Sequence, residues 1–187
     1  IKAFSSLENV ELAGIFSRTK EKSEALADEF GIGGVYDSIE KLYNATNADI
    51  VVVTVSVSAM FKVSVEASDF DWNLFLEKPP AIDLKETSEL QSILEAKNRK
   101  AFVALNRRFL SSSIAAKENL DKSDKPRFIY VQDQQPLVKI RDMKVHPDVV
   151  IENWMYANSI HLIDYFSNFC RGKVSHVKVL DSWKGVD

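Results

Sequence analysis

The chain has 187 residues, 45% hydrophobic and 27% charged, the make-up of an ordinary globular protein of one large or two small domains. A net charge of −3 at pH 7 argues against a nucleic-acid partner, and no apolar run approaches the ~20 residues of a membrane span. A single cysteine, Cys170, excludes an internal disulfide and fits a reducing, cytoplasmic setting.

Val10 to Ser17 reads as a strand, and Thr19 to Phe30 as a helix with Thr19 as cap and Gly31 as stop. Ile39 to Tyr43 is a short helix. Asp49 to Thr54 (DIVVVT) is β-branched almost throughout, the pattern of a parallel strand buried on both faces. Ser58 to Ala67 is helical and Leu74 to Leu76 a short strand. Asp83 to Lys97 spaces Leu84, Leu90, Ile93 and Leu94 helically behind an Asp83 cap with Glu86 three residues on. Ala101 to Leu105 is one more strand. Strand and helix alternate four times, which predicts a parallel α/β sheet over residues 1–105.

The pattern changes near Asn106. Phe109 to Leu120 is helical, Arg127 to Asp133 alternates like a half-exposed strand, and Gln134 to Ile151 is irregular with two prolines. Asn158 to Cys170 is helical and Val174 to Trp183 alternates again. Residues 106–187 therefore read as the start of an α+β domain with an open, mostly antiparallel sheet.

In an open α/β sheet, ligands bind at the carboxyl ends of the strands. Four polar clusters fall at such ends: Ser17-Arg18-Thr19, Thr54-Val55-Ser56, Glu77-Lys78-Pro79-Pro80 and Asn106-Arg107-Arg108. Proline fixes its own φ and biases the preceding residue to extended geometry, so Lys78 is held stiffly where a strand ends. A Lys there can donate to a substrate hydroxyl or carry a proton; the plainer reading is a surface Lys in a rigid turn. His161, beside Leu162, Ile163 and Tyr165, reads by itself as a packed histidine. Three scattered His and one Cys give no metal spacing. His146 before Pro147 fits a surface loop, and Trp72, Trp154 and Trp183 are too scattered to form a stacking platform.

Glu77-Lys78-Pro79, Asn106-Arg107-Arg108-Phe109 and Ser159-Ile160-His161-Leu162-Ile163-Asp164, in that order over nearly the whole chain, resemble the EKP, NRRF and histidine-helix motifs of the Gfo/Idh/MocA family of nicotinamide-dependent oxidoreductases. The resemblance implies a Rossmann-type dinucleotide-binding domain over 1–105, then a substrate and oligomerisation domain from 106. It implies hydride transfer between the nicotinamide and a sugar, sugar derivative or polyol, in a homodimer or homotetramer. Lys78 then holds the reacting oxygen and helps move its proton, with His161 as acid/base and Asn158 beside the substrate. Ser17, Arg18, Thr19, Thr54, Glu77, Lys78 and Arg107 line the cofactor. Arg at the second strand end accommodates a 2′-phosphate, which favours NADP over NAD.

Two departures stand out. The family carries Asp one turn before the histidine, and this chain has Ala157 there. Asn158 can hydrogen-bond in its place but cannot take a proton, and a non-catalytic dinucleotide-binding regulator or scaffold is the rival reading. No G-x-G-x-x-G occurs; Gly31, Gly33 and Gly34 follow a helix and read as its stop and a turn. Ile1 to Ser6 resembles the end of the helix that follows that fingerprint in the family. The expectation is a chain lacking the domain's first strand and the second domain's later sheet.

Overall fold

A computed structural model describes residues 1–178. The elements run α1 (Lys2–Ser5), β1 (Ile15–Phe16), α2 (Lys20–Phe30), β2 (Val35–Tyr36), α3 (Ile39–Ala45), β3 (Ile50–Val53), α4 (Val57–Ala67), β4 (Asn73–Leu76), α5 (Leu84–Ala96) and β5 (Ala101–Val103). A 3₁₀ turn (Asn106–Phe109) then leads into α6 (Ser111–Asp121), α7 (Leu137–Asp142), α8 (Asp148–Glu152), α9 (Trp154–Ala157) and α10 (Ile160–Phe169). No helix among the described residues is long and apolar enough to cross a membrane.

Among the described residues all strand pairing is parallel. β1 pairs with β2, and β3, β4 and β5 form a second sheet in that order, with Val53 opposite Leu76 and Leu76 opposite Val103. Alternation along β3 and β4 turns Val53, Leu74 and Leu76 to one face. There they pack with Met60 and Ala67 of α4 and Leu90 and Leu94 of α5 into the main core. The opposite face does not show the two-sided burial that DIVVVT predicts. Ile50, Val52 and Phe102 stay exposed, and Phe4 of α1 meets Phe75 edge to face at 5.6 Å.

Local signals account for some of the helix ends. Gly31 closes α2 in the left-handed region (φ 63°), donating to Ala27 O. Asp83 Oδ1 accepts from Glu86 N at 2.8 Å and Glu86 Oε2 from Ile82 N at 3.2 Å, a reciprocal cap on α5. Gly33 has no room for a Cβ, which would meet Ala13 O at 2.8 Å; this approach lets the chain turn into β2, a strand too short for its pattern to show. The first strand also shrinks, to Ile15–Phe16, because only those residues find a parallel partner.

Past Asn106 the regular elements among the described residues are all helices. Arg127–Asp133 is not a strand: no described segment pairs with it, and Phe128 and Tyr130 are 91% and 75% exposed. Gln134–Ile151 is more ordered than its prolines suggested. Pro136 and Pro147 occupy the N-cap positions of α7 and α8, where a missing N–H costs nothing. The predicted strand Val174–Trp183 lies partly outside the described residues, and 174–178 form no regular element. A second core joins the halves: Val150, Ile151, Trp154 and Ala157 bury against Val57 and Ile82, with Leu137 and Ile140 alongside.

Candidate active site

The end of β4 is the anchor. Glu77 N donates to Val53 O at 2.9 Å, extending the sheet by one hydrogen bond, and Ala104 N donates to Leu76 O at 2.8 Å. The chain then turns through Lys78–Pro79, joined by a cis peptide bond, with Pro79, Pro80 and Ala81 buried. The half-buried Lys78 points away from the sheet and its Nζ donates to Ala157 O at 2.9 Å, across 79 residues of sequence. One of its three N–H groups is so used; the others remain for a ligand. Burial lowers the Lys78 pKa from its usual range, the Arg107 charge adds to this, and Glu77 opposes it.

His161 is 7% exposed in the first turn of α10, and its Nδ1 has no hydrogen-bond partner among the described residues. Burial again lowers the pKa, helped by the charges of Lys78 and then Arg107, with Asp164 opposing. All three causes that depress it favour the neutral ring at pH 7, which can accept a proton. Lys78 and His161, from opposite halves of the chain, thus share one electrostatic environment. Asn158 lies between them in sequence and donates through Nδ2 to Gln135 Oε1 at 3.1 Å.

The other strand ends carry looser groups. Ser17 Oγ accepts from Thr19 N at 3.2 Å, while Thr19, at the N-cap of α2, makes no side-chain cap bond. Arg18 and Thr54 are exposed, as is Arg107 in the 3₁₀ turn after β5. Among the described residues Arg18 has no ion-pair partner, so its guanidinium is free for an anion beside α2. These groups suit the ribose-phosphate end of a dinucleotide, and the orphaned His161 Nδ1 suits a polar group at the other end.

Two residues that motif reading passed over hold the site. Arg108 Nε donates to Asp164 Oδ2 at 2.5 Å and its Nη2 to Oδ1, a two-pronged pair fastening α10 to the turn after β5. Asp164 raises the pKa of Arg108, and its side chain is 6% exposed. Asp164 lies one helical turn after His161 and presents the nearby carboxylate that position 157 lacks. The i, i+3 spacing from His161 was the available signal. A hollow of about 660 Å³ opens beside Gln135, walled by Pro136, Leu137, Lys139, Asp142 and Met143; it includes neither Lys78 nor His161.

Comparison with known proteins bears on the fold. Residues 1–105 match the model of an oxidoreductase family with an NAD-binding Rossmann fold. Glucose-6-phosphate 3-dehydrogenase of Bacillus subtilis is 28% identical over 110 residues, 58% of this chain and 30% of that protein. The myo-inositol 2-dehydrogenase of Lactobacillus plantarum superposes with a TM-score of 0.70 at 20% identity, over 87% of this chain and 50% of that one. The WlbA dehydrogenase of Chromobacterium violaceum, crystallised with NADH and UDP-GlcNAcA, superposes with a TM-score of 0.56 at 21% identity, over 62% and 33%. The chain thus spans a third to a half of these relatives' lengths, and the structural matches speak for the fold. With more than half of its residues inside the family model, the chain belongs to the Gfo/Idh/MocA oxidoreductase family.

Proposed function

We propose that the full-length protein is an NAD(P)-dependent oxidoreductase that moves a hydride between the nicotinamide and a sugar, sugar derivative or polyol. The observation that carries this reading is the convergence of Lys78 and His161, with Lys78 Nζ held on the carbonyl of Ala157 and His161 one turn beyond. A substrate hydroxyl placed against both meets a cation on its oxygen and a neutral imidazole for its proton. As the neighbouring C–H bond gives up its hydride, His161 takes the O–H proton and Lys78 steadies the charge on oxygen. In the reverse direction the same groups protonate the carbonyl oxygen. The nicotinamide, when bound, supplies the hydride acceptor or donor.

Ser17, Arg18 and Thr19 would hold the adenosine ribose, with Arg18 favouring a 2′-phosphate and so NADP. Thr54, Glu77 and Arg107 would line the rest of the cofactor crevice. On this reading residues 1–105 form the dinucleotide domain and 106–187 begin the substrate domain. A cytoplasmic setting fits the lone, exposed Cys170, and a homodimer or homotetramer is the assembly the family resemblance favours.

The regulator reading is favoured by Ala157 and disfavoured by Asp164, whose charge acts on His161 from one helical turn on. Titration with NADPH and NADH, followed by oxidation assays over sugars and polyols, separates the two. Binding to neither dinucleotide overturns both readings; tight binding with no turnover selects the regulator.

A further inference from the structure

Four side chains beside the Lys78–Ala157 contact form a hydrogen-bonded chain whose polarity follows from their chemistry. The Trp154 indole can only donate, and its Nε1 reaches Gln135 Oε1 at 3.2 Å. Ionised Asp133 can only accept, and its Oδ1 takes Gln135 Nε2 at 2.7 Å. The Gln135 amide can therefore sit only one way round, since a flip would set donor against donor and acceptor against acceptor. The same Oε1 accepts from Asn158 Nδ2 at 3.1 Å. That uses one N–H of Asn158, fixes which way its amide lies and leaves its Oδ1 open: no described residue donates to it. Asn158 follows the residue whose carbonyl holds Lys78 and precedes His161 by three positions.

We infer that Asp133, Gln135 and Trp154 lock Asn158 as a hydrogen-bond acceptor, so that the site selects a substrate presenting a second hydroxyl next to the one being oxidised. The inference rests on the oxidoreductase reading above. A hydroxyl donates to Oδ1, a deoxy carbon leaves Oδ1 unpaired, and a carboxylate or phosphate meets it as acceptor against acceptor. Were the amide reversed, the open group would be the NH₂ and the preference would run toward anionic sugars. Gln135 is the positioning residue and Asn158 the group that meets substrate.

The test uses the full-length protein with D-glucose and myo-inositol, each paired with its monodeoxy analogue, and with D-glucuronate. The parent protein should prefer the vicinal diol over the deoxy analogue by about tenfold or more in kcat/KM, the scale of one hydrogen bond with its partner left buried. Gln135→Leu should collapse that ratio toward one, mainly through KM, and Asn158→Leu should do the same. Gln135→Glu paired with Asp133→Asn keeps an acceptor for both Trp154 and Asn158 and a donor for the second Glu oxygen, and should restore most of the ratio, which a merely structural role would not predict. An active parent whose preference survives both Leu variants, or which favours glucuronate, overturns the inference alone. A parent that binds dinucleotide yet oxidises nothing overturns the oxidoreductase reading and takes the inference with it.

Discussion

Residues 1–105 and 106–178 reach the same site by opposite routes. In the first half, polar groups stand at the ends of short parallel strands whose apolar alternation is satisfied by the core beneath them, as Leu74 and Leu76 are beneath Lys78. In the second half, α6 to α10 have no side-chain cap bonds at their N-termini, and long-range polar contacts hold them: Arg108 to Asp164, Arg127 to Phe169 O at 2.8 Å, and Gln135 to Trp154 and Asn158. The difference has a consequence for substitution. Removing a strand-end polar group should change chemistry and spare the fold, whereas in the helical half the same side chains serve as scaffold and site together.

The largest effect should come from the sheet core. Leu74 is fully buried, and Leu74→Ala should cost about 3 kcal/mol in urea unfolding through lost burial and a residual cavity. Lys78→Ala, two residues past that strand, should cost only about 1 kcal/mol in unfolding, through the donor lost to Ala157 O, and lower kcat about a hundredfold. Dinucleotide affinity should move much less, because its diphosphate and adenosine contacts lie elsewhere. If Lys78→Ala instead unfolds the protein, the division between the halves is wrong. Arg108→Ala leaves the Asp164 carboxylate buried and unpaired and should cost about 2 kcal/mol, less than a fully buried pair because Arg108 is partly solvated. It should also weaken turnover by loosening α10, a double effect that no strand-end variant shares. Phe128→Ser, at a 91% exposed position, should change stability by less than about 0.5 kcal/mol.

Legibility follows the same divide. The parallel order, the α5 cap at Asp83 and Glu86, and the polar strand ends could be read because each depends on residues close in sequence. The exposure of Ile50 and Val52 could not, since a strand's composition does not say what covers its second face. Arg127–Asp133 carries a strand's alternation without a partner to pair with, and alternation alone supplies no hydrogen bonds. Lys78 and His161 could be singled out, but not the reach of Lys78 to Ala157 or the ion pair of Arg108 with Asp164. Those contacts join residues 79 and 56 positions apart, beyond any local period.

The central claim is that a lysine from one half and a histidine from the other act as one electrostatic unit. An NMR pH titration of the imidazole signals tests it without a substrate, with His161 assigned by His161→Gln against His146 and His176. The account predicts a His161 midpoint below the ordinary value near 6.5 in the parent protein, because burial and two neighbouring cations disfavour the charged ring. Lys78→Met removes one of those cations and should shift the midpoint upward. An unchanged His161 midpoint in Lys78→Met would contradict the account, since the two groups would then not share a site.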